Sequence, residues 1–279
     1  MIIDFHTHIF PSFFRTDRAA FFHDEPDFET LYTPSESRLT GRSDLLDNMA
    51  EEGIDRSVIF GFPWRNVDHF KRHNDYILDS VQKHPDRFIG FCCFDPTSKE
   101  APKETERCLT AGLTGVGELA VYDRGFSTDI IECLDEVLKI CLQYDAPVLL
   151  HTNEPVGRSY PGKQPMTLSQ LYGLIRRYPS NKIILAHWGG GLFFYRLMKR
   201  EVNQVLENVW FDTAASPFLY SPDIYKVAGE IMGFDRILFG SDYPLINPGR
   251  YLEEIQSADL PPESIKKISG LNAVDLLRL

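Results

Sequence analysis

The sequence has few cysteines, few positive charges and no long apolar run, and each scarcity argues against a class of protein. The five cysteines are odd in number and show no C-x-x-C spacing, which predicts reduced core thiols rather than disulfides or metal ligands. No segment approaches the roughly 20 apolar residues of a membrane span. The net charge of −11 argues against a nucleic-acid or anionic-membrane partner.

No secretory signal is visible, because Asp4 and His6 interrupt the amino-terminal apolar run. Together with the cysteine usage, this predicts a cytoplasmic protein. The composition, 43% hydrophobic and 25% charged, is typical of a globular chain. A length of 279 residues fits one α/β barrel.

Short apolar runs alternate along the chain with longer amphipathic segments. Counting the run that starts at Ile2, eight strands are predicted, each followed by a helix, and several are apolar throughout, as in a parallel sheet buried on both faces. No glycine-rich dinucleotide turn follows an early strand. The pattern therefore predicts a (β/α)8 TIM barrel with one domain over residues 1–279.

After the first, the predicted strands cover residues 57–62, 88–94, 114–119, 147–152, 182–187, 208–213 and 236–241. The predicted helices cover residues 43–52, 68–83, 98–111, 128–144, 167–177, 192–202 and 222–232, with closing turns at 263–269 and 272–279.

Residues 9–42 show no clear helical or strand period and are rich in Phe, Asp, Pro and Ser. A loop this long in a compact domain is usually functional. We therefore predict a lid or substrate loop here, with a packed surface excursion as the alternative. Its apolar content is Phe13, Phe14, Phe21, Phe22 and Tyr32.

The opening sequence Met1-Ile-Ile-Asp-Phe-His-Thr-His8 places two histidines at the end of the first strand. Alternate residues of a strand point to the same side, so His6 and His8 project together. Two imidazoles this close can bind one metal ion, although they could also simply end the strand.

Four further chemical groups each follow an apolar run of their own. Glu118 ends the fourth strand, His151 the fifth, His187 the sixth and Asp242 the eighth. Active sites of such barrels lie at the carboxyl ends of the strands. Four histidines and two carboxylates at one rim therefore predict a site for a divalent transition metal. The other four histidines end no strand and are expected at the solvated surface: His23, His69, His73 and His84.

These motifs resemble the amidohydrolase superfamily of metal-dependent hydrolases, in particular the branch that includes aminocarboxymuconate-semialdehyde decarboxylase. The resemblance runs from the first strand to Gly270-Leu-Asn-Ala, so it covers nearly the whole chain. It is specific for the superfamily and uninformative about the substrate. The motifs that carry it are Asp4-Phe-His6-Thr-His8, His151, His187-Trp-Gly-Gly and Gly240-Ser-Asp242-Tyr-Pro.

The resemblance implies two alternative ligand sets. In one, a single metal is held by His6, His8, His151 and Asp242, with His187 as a catalytic histidine. In the other, Glu118 bridges two metals, the first held by His6, His8 and Asp242 and the second by His151 and His187. Direct ligation by Glu118 is favoured over a role in orienting a ligand histidine. Zinc is the expected metal, as one or two ions.

The implied mechanism is hydrolysis. A metal-activated water would attack an amide, lactone or ester, with Asp242 as general base and then acid, and with His187 polarising the carbonyl. The alternative within the fold is non-oxidative decarboxylation of an unsaturated or aromatic acid. A non-catalytic metal-binding barrel is a third, less favoured reading.

The substrate is expected to be a small, anionic organic molecule, because arginine binds carboxylates and phosphates through its planar fork. A homodimer is the only protein partner anticipated. The candidate substrate-binding residues follow the strand ends and are Trp64, Arg65, Tyr122, Arg124, Arg158, Tyr160 and Trp188.

Overall fold

A computed structural model describes residues 1–279. Eight parallel strands lie in chain order around the sheet, so the predicted TIM barrel is confirmed. The strands are β1 (Ile3–His8), β2 (Arg56–Phe60), β3 (Phe88–Cys92), β4 (Gly115–Leu119), β5 (Val148–Leu150), β6 (Ile183–Leu185), β7 (Val209–Asp212) and β8 (Ile237–Leu238).

Backbone hydrogen bonds between the first and last strands close the barrel. Phe5 N donates to Phe239 O at 2.7 Å, and Asp242 N donates to His6 O at 2.9 Å. His8 N then donates to Tyr243 O at 2.8 Å. The first and last segments of the chain therefore meet where the histidine-rich motif lies.

Helices surround the sheet and occupy most of the predicted positions. They are α1 (Ser12–Thr16), α2 (Pro26–Tyr32), α3 (Arg42–Glu52), α4 (Val67–Lys83), α5 (Ala101–Thr110), α6 (Thr128–Cys133), α7 (Asp135–Gln143), α8 (Leu168–Arg177), α9 (Arg200–Val205), α10 (Ser216–Leu219), α11 (Ile224–Met232), α12 (Pro248–Ser257), α13 (Pro262–Lys266) and α14 (Asn272–Leu277). No helix is both long enough and apolar enough to cross a bilayer.

Residues 9–42 are more regular than their sequence suggested. Two short helices, α1 and α2, and a 3-10 turn at Arg18–Phe21 lie within this segment. Phe14 and Phe28 are fully buried, and their rings lie 4.4 Å and 4.3 Å from that of Trp64. Buried aromatic contacts therefore hold the segment against the loop after β2. Whether the segment also opens as a lid stays a prediction.

The segment after β6 departs most from the predicted helix at 192–202. From His187 to Gly191, five consecutive residues have positive φ, between 54° and 88°. A Cβ on Gly190 would lie 2.3 Å from Asn153 O, and one on Gly189 would lie 2.6 Å from the Phe211 ring. The glycines thus permit a left-handed turn that turns the chain sharply after β6. A 3-10 segment, His187–Leu197, takes the place of the first part of the predicted helix.

The barrel has two apolar clusters. The larger one, with 54 buried residues, includes residues of both the strands and the surrounding helices. The smaller one, with 12, includes Ile3, Phe5 and Phe91, and the rings of Phe5 and Phe91 pack edge to face 5.7 Å apart.

Four of the five cysteines are buried, whereas Cys133 is exposed, contrary to the prediction of core thiols throughout.

Candidate metal centre

The six residues predicted as metal ligands converge at the carboxyl ends of the strands. Ligand atoms lie within 4.8 Å of one another in three overlapping groups. The groups are His6, His8 and Glu118; His6, His187 and Asp242; and Glu118, His151 and His187. His6 and His8 do project together from β1, with ring centroids 5.3 Å apart.

Glu118 lies between the histidines. Its Oε2 is 3.6 Å from His6 Nε2 and 3.7 Å from His8 Nε2. Its Oε1 is 3.0 Å from His151 Nδ1 and 3.5 Å from His187 Nε2. Asp242 Oδ1 is 3.5 Å from both His6 Nε2 and His8 Nε2. Two carboxylates therefore face the same set of imidazole nitrogens.

Each imidazole is held from behind by an acceptor. His6 Nδ1 donates to Asp212 Oδ2 at 2.8 Å, and His8 Nδ1 to Gly61 O at 3.1 Å. His187 Nδ1 donates to Ala214 O at 3.0 Å. His151 is turned the other way, because its Nε2 donates to Gly162 O at 3.0 Å and its Nδ1 faces the centre. These outward bonds fix the tautomers and the ring orientations.

Since the outward bond uses one N–H of each ring, every inward nitrogen carries either a lone pair or a second proton. A lone pair facing a carboxylate at 3.0–3.7 Å is repulsive unless a cation lies between them. His6 Nε2 is buried and has no hydrogen-bond partner in the protein. The donor set therefore fits a divalent metal ion, with nitrogen and carboxylate oxygen as its ligands.

The electrostatics of the cluster also call for positive charge. Burial opposes protonation of His187, but its hydrogen bond to Glu118 and the charge of Asp242 raise its pKa to about 9. Burial likewise lowers the pKa of His6, yet Glu118 and Asp212 raise it well above its usual value. Burial raises the pKa of Asp242, but the surrounding histidines outweigh this effect and bring it to about 2. Protons and a metal cation would compete for the same nitrogens.

Asp212, at the end of β7, is a site residue that the sequence analysis missed. Its carboxylate accepts from His6 Nδ1, from His187 N at 2.9 Å and from Ala214 N at 3.0 Å. The signal was present, since Val209–Asp212 is also an apolar run that ends in a carboxylate. Asp4 has a comparable bracing role, because it accepts from Ser241 N and Ser241 Oγ at 2.9 Å and 2.5 Å.

Both predicted substrate-binding tryptophans are fully buried and have hydrogen-bond partners within the protein, and their contact with substrate stays a prediction. Trp64 Nε1 donates to His73 Nδ1 at 2.9 Å, within the aromatic cluster of residues 9–42. Trp188 Nε1 donates to Ser216 Oγ at 2.9 Å. His73 itself is buried, which corrects the expectation of a surface histidine.

None of the predicted arginines forms an ion pair with the cluster. Arg65 pairs with Asp27 and Asp123 at 2.9 Å and 3.1 Å. Arg124 is half-exposed and lies 3.6 Å from both Asp123 and Asp129. The remaining candidate arginine, Arg158, is exposed.

The predicted tyrosines differ in their surroundings. Tyr160 OH donates to Glu154 Oε2 at 2.9 Å, so its hydroxyl already has a partner. The ring of Tyr122 lies 5.1 Å from that of His151, beside the cluster, and nearly parallel to Phe62 at 6.3 Å. Tyr122 is thus the only one of the seven candidate substrate residues with an aromatic contact to a ligand histidine.

Comparison with known proteins identifies the family. A model of the amidohydrolase family matches residues 3–279. The gamma-resorcylate decarboxylase of Polaromonas sp. strain JS666 is 27% identical over 254 residues, covering 75% of this chain and 76% of the relative. The same enzyme from Rhodococcus jostii strain RHA1 is 25% identical, covering 77% and 78%.

Solved structures share the fold. The 5-carboxyvanillate decarboxylase of Sphingomonas paucimobilis has a TM-score of 0.78 at 17% identity, covering 100% of this chain and 99% of that one. The dihydroxybenzoic acid decarboxylase of Polaromonas sp. JS666, with bound manganese and the inhibitor 2-nitroresorcinol, has a TM-score of 0.73 at 22% identity, covering 100% and 97%.

These findings correct the main functional prediction. The relatives are decarboxylases, so the hydrolase reading is wrong and the alternative is the better supported one. Zinc is not supported either, because manganese is the metal in the similar structure. The predicted family membership is confirmed across the chain. The chain therefore belongs to the amidohydrolase family and is a TIM-barrel enzyme with a divalent-metal site.

Proposed function

We propose that this enzyme is a metal-dependent, non-oxidative decarboxylase of an aromatic carboxylic acid. The observation that carries the proposal is the aromatic wall beside the metal centre. The rings of Phe62 and Tyr122 are inclined by only 12° to each other, and Tyr122 also contacts His151. Flat aromatic faces next to metal ligands suit a planar aromatic acid. The activity of the curated relatives supports the same class.

The metal would be held by His6, His8 and Asp242 together with His151, Glu118 or both. When bound, a divalent ion orients the substrate carboxylate and an adjacent hydroxyl and withdraws charge from them. We propose manganese as the metal, on the example of the manganese-bound structures. A donor set of imidazoles and carboxylates is compatible with that choice.

Loss of CO2 requires a proton on the ring carbon that carries the carboxylate, so the site needs an acid close to that carbon. We assign this role to His187, whose Nε2 faces the centre, 3.5 Å from Glu118 Oε1. Its Nδ1–H is committed to Ala214 O, which leaves the Nε2 proton for transfer. Asp242, 15% exposed, has the most accessible carboxylate of the cluster and helps to position this proton.

The test is CO2 release by the manganese-loaded enzyme from a panel of aromatic acids that includes 2,6-dihydroxybenzoate and 5-carboxyvanillate. The parent should convert an ortho-hydroxylated acid to the corresponding phenol. His187→Gln should lower kcat by about 100-fold or more while it retains substrate binding. Arg124→Gln, at an exposed rim position, serves as the matched control and should leave kcat unchanged. No phenol from any acid, or an unimpaired His187→Gln, would count against the proposal.

A homodimer stays a prediction. Sedimentation of the purified enzyme would test it, and a monomer at all concentrations would contradict it.

A further inference from the structure

A decarboxylase must hold a carboxylate, and the usual protein group for that task is missing beside this centre. An arginine fork next to Glu118 and Asp242 would pair with those carboxylates in preference to a substrate. The three rim arginines considered above instead form ion pairs elsewhere or remain exposed. Lys163 is also committed, with Nζ 2.8 Å from Glu154 Oε1. The protein groups that remain as candidates for binding the substrate carboxylate are therefore neutral hydrogen-bond donors.

Two tyrosines supply such donors. Tyr32 ends α2, and its ring lies 6.0 Å from that of Phe62. Tyr122 packs nearly parallel to Phe62, with its ring 6.3 Å away. Neither hydroxyl forms a hydrogen bond to the protein, whereas those of Tyr160 and Tyr178 do. The pair therefore has two free phenolic O–H groups.

Aromatic contacts connect both rings to the metal centre. The ring of Tyr122 lies 5.1 Å from that of His151, and Tyr32 contacts Phe62, which packs against Tyr122. Burial, followed by the charges of Asp242 and Glu118, raises the pKa of Tyr32. Burial, followed by the charges of Glu118, Tyr32 and Asp242, raises the pKa of Tyr122. A phenol is protonated at neutral pH in any case, so both hydroxyls can donate to an anion.

The two segments that carry these tyrosines are tied together. Arg65 bridges Asp27 on α2, five residues before Tyr32, and Asp123, directly after Tyr122. Glu25, which is fully buried, accepts from the backbone N–H groups of Arg65 and Asn66 at 3.0 Å and 2.8 Å. Arg65, predicted from the sequence to bind substrate, is a positioning residue for both segments.

Resting on the proposed function, we infer that Tyr32 and Tyr122 recognise the carboxylate of an aromatic acid by donating two hydrogen bonds to it. The pair discriminates the acid from the neutral phenol that remains after CO2 leaves. A phenol lacks the acceptor oxygens, so it loses these two bonds. These two hydrogen bonds restrict the substrates to aromatic acids whose carboxylate can lie next to the ring of Phe62.

The experiment is calorimetric titration of the manganese-loaded His187→Gln enzyme, which is expected to bind substrate without rapid turnover, with 2,6-dihydroxybenzoate and with resorcinol, which differs only in lacking the carboxylate. The variants, made in the same background, are Tyr32→Phe, Tyr122→Phe and the double variant. Each single change should weaken 2,6-dihydroxybenzoate binding about tenfold and leave resorcinol binding unchanged. Tyr160→Phe, whose hydroxyl is bonded to Glu154, is the matched control and should change neither affinity.

Unchanged affinity for the acid in the double variant would overturn the inference, as would equal losses for both ligands or a parent that binds no aromatic acid. Binding is measured in the slowed His187→Gln background and CO2 release in the enzyme with His187 intact, so the two results are independent. Selective loss of acid binding in an enzyme that releases no CO2 would uphold the inference and refute the decarboxylase. Metal content, measured for each variant, excludes loss of the ion as the cause.

Discussion

Glu118 is the residue on which the centre depends most directly. Burial raises its pKa, but the charges of His6 and His151 outweigh this effect and hold it well below its usual range. The carboxylate is thus ionised in the folded enzyme, and both of its oxygens face imidazole nitrogens. Its charge compensates a bound cation in either of the two ligand sets predicted from the sequence.

Replacing Glu118 with Gln keeps the shape of the side chain and removes its charge. We expect manganese affinity to fall at least about tenfold, because an ionised ligand group is lost. Competition with a coloured chelator at fixed pH measures the change. Glu154→Gln is the control, since Glu154 lies in the loop after β5 and pairs with Lys163. Equal manganese affinities in Glu118→Gln and the parent would show that Glu118 is not a metal ligand.

His73 is a second residue with a measurable consequence. It is fully buried, accepts from Trp64 Nε1 and donates from Nε2 to Ile9 O at 2.7 Å. Burial lowers its pKa from 6.5 to about 3, and the bond to Ile9 O offsets only part of this effect. The neutral ring is therefore favoured in the folded state, whereas the unfolded chain binds a proton near pH 6.5.

Because the folded pKa is depressed, His73 contributes its stability above pH 6.5 and loses it as the pH falls towards 3. From neutral pH to about pH 5.5 the parent should lose about 1.4 kcal/mol of unfolding free energy through this residue. Urea unfolding in the presence of a chelator measures it. His73→Gln, which can form both bonds without titrating, should show a correspondingly smaller loss. An identical pH dependence in the two proteins would refute this account.

At the scale of elements, Arg65 links α2 to the loop after β4. It reaches Asp27 at 2.9 Å and Asp123 at 3.1 Å. Arg124 offers a close comparison, since it also lies near Asp123, at 3.6 Å, without reaching α2. Comparing variants of the two arginines therefore distinguishes loss of the link to α2 from loss of a positive charge near Asp123.

We expect Arg65→Met to increase amide hydrogen exchange in α2 and in residues 121–125, because the link between these segments is lost. KM for the aromatic acid should rise several-fold, roughly the effect of one charged hydrogen bond, with little change in kcat. Arg124→Met should change neither quantity. Unaltered exchange in Arg65→Met would show that buried aromatic contacts alone hold the segment.

The comparison of elements shows what the sequence could and could not predict. The positions of the ligands at strand ends were predictable, because several apolar runs terminate at a polar group such as His151 or His187, and parallel strands bring these ends to one rim. The partners of Trp64 and Arg65 were not, since they lie on segments joined only by tertiary packing. Local sequence pattern carries no information on such distances, so it could not predict these partners. Asp212 could have been predicted in the same way as Asp242, because it also ends an apolar run.

For the whole molecule, the fold followed from counting β–α units, whereas the reaction did not follow from the ligand set. The same histidines and carboxylates serve hydrolysis and decarboxylation, so the choice depends on what else lines the site. Here the neighbouring surface is aromatic, and the ring of Phe62 contacts those of both Tyr122 and Tyr32. The left-handed turn from His187 to Gly191 could not be predicted either, because glycine residues permit positive φ angles without requiring them.

The closure of the barrel has a consequence for biosynthesis. His6 and His8 are synthesised well before Asp242, and the bond between Asp4 and Ser241 joins residues 237 positions apart. At ordinary rates of translation these ends are separated by some tens of seconds. During that interval the candidate ligands become available one after another, from Glu118 to His151 and His187. The complete ligand set therefore exists only after Asp242 has been synthesised and β1 has paired with the segment after β8.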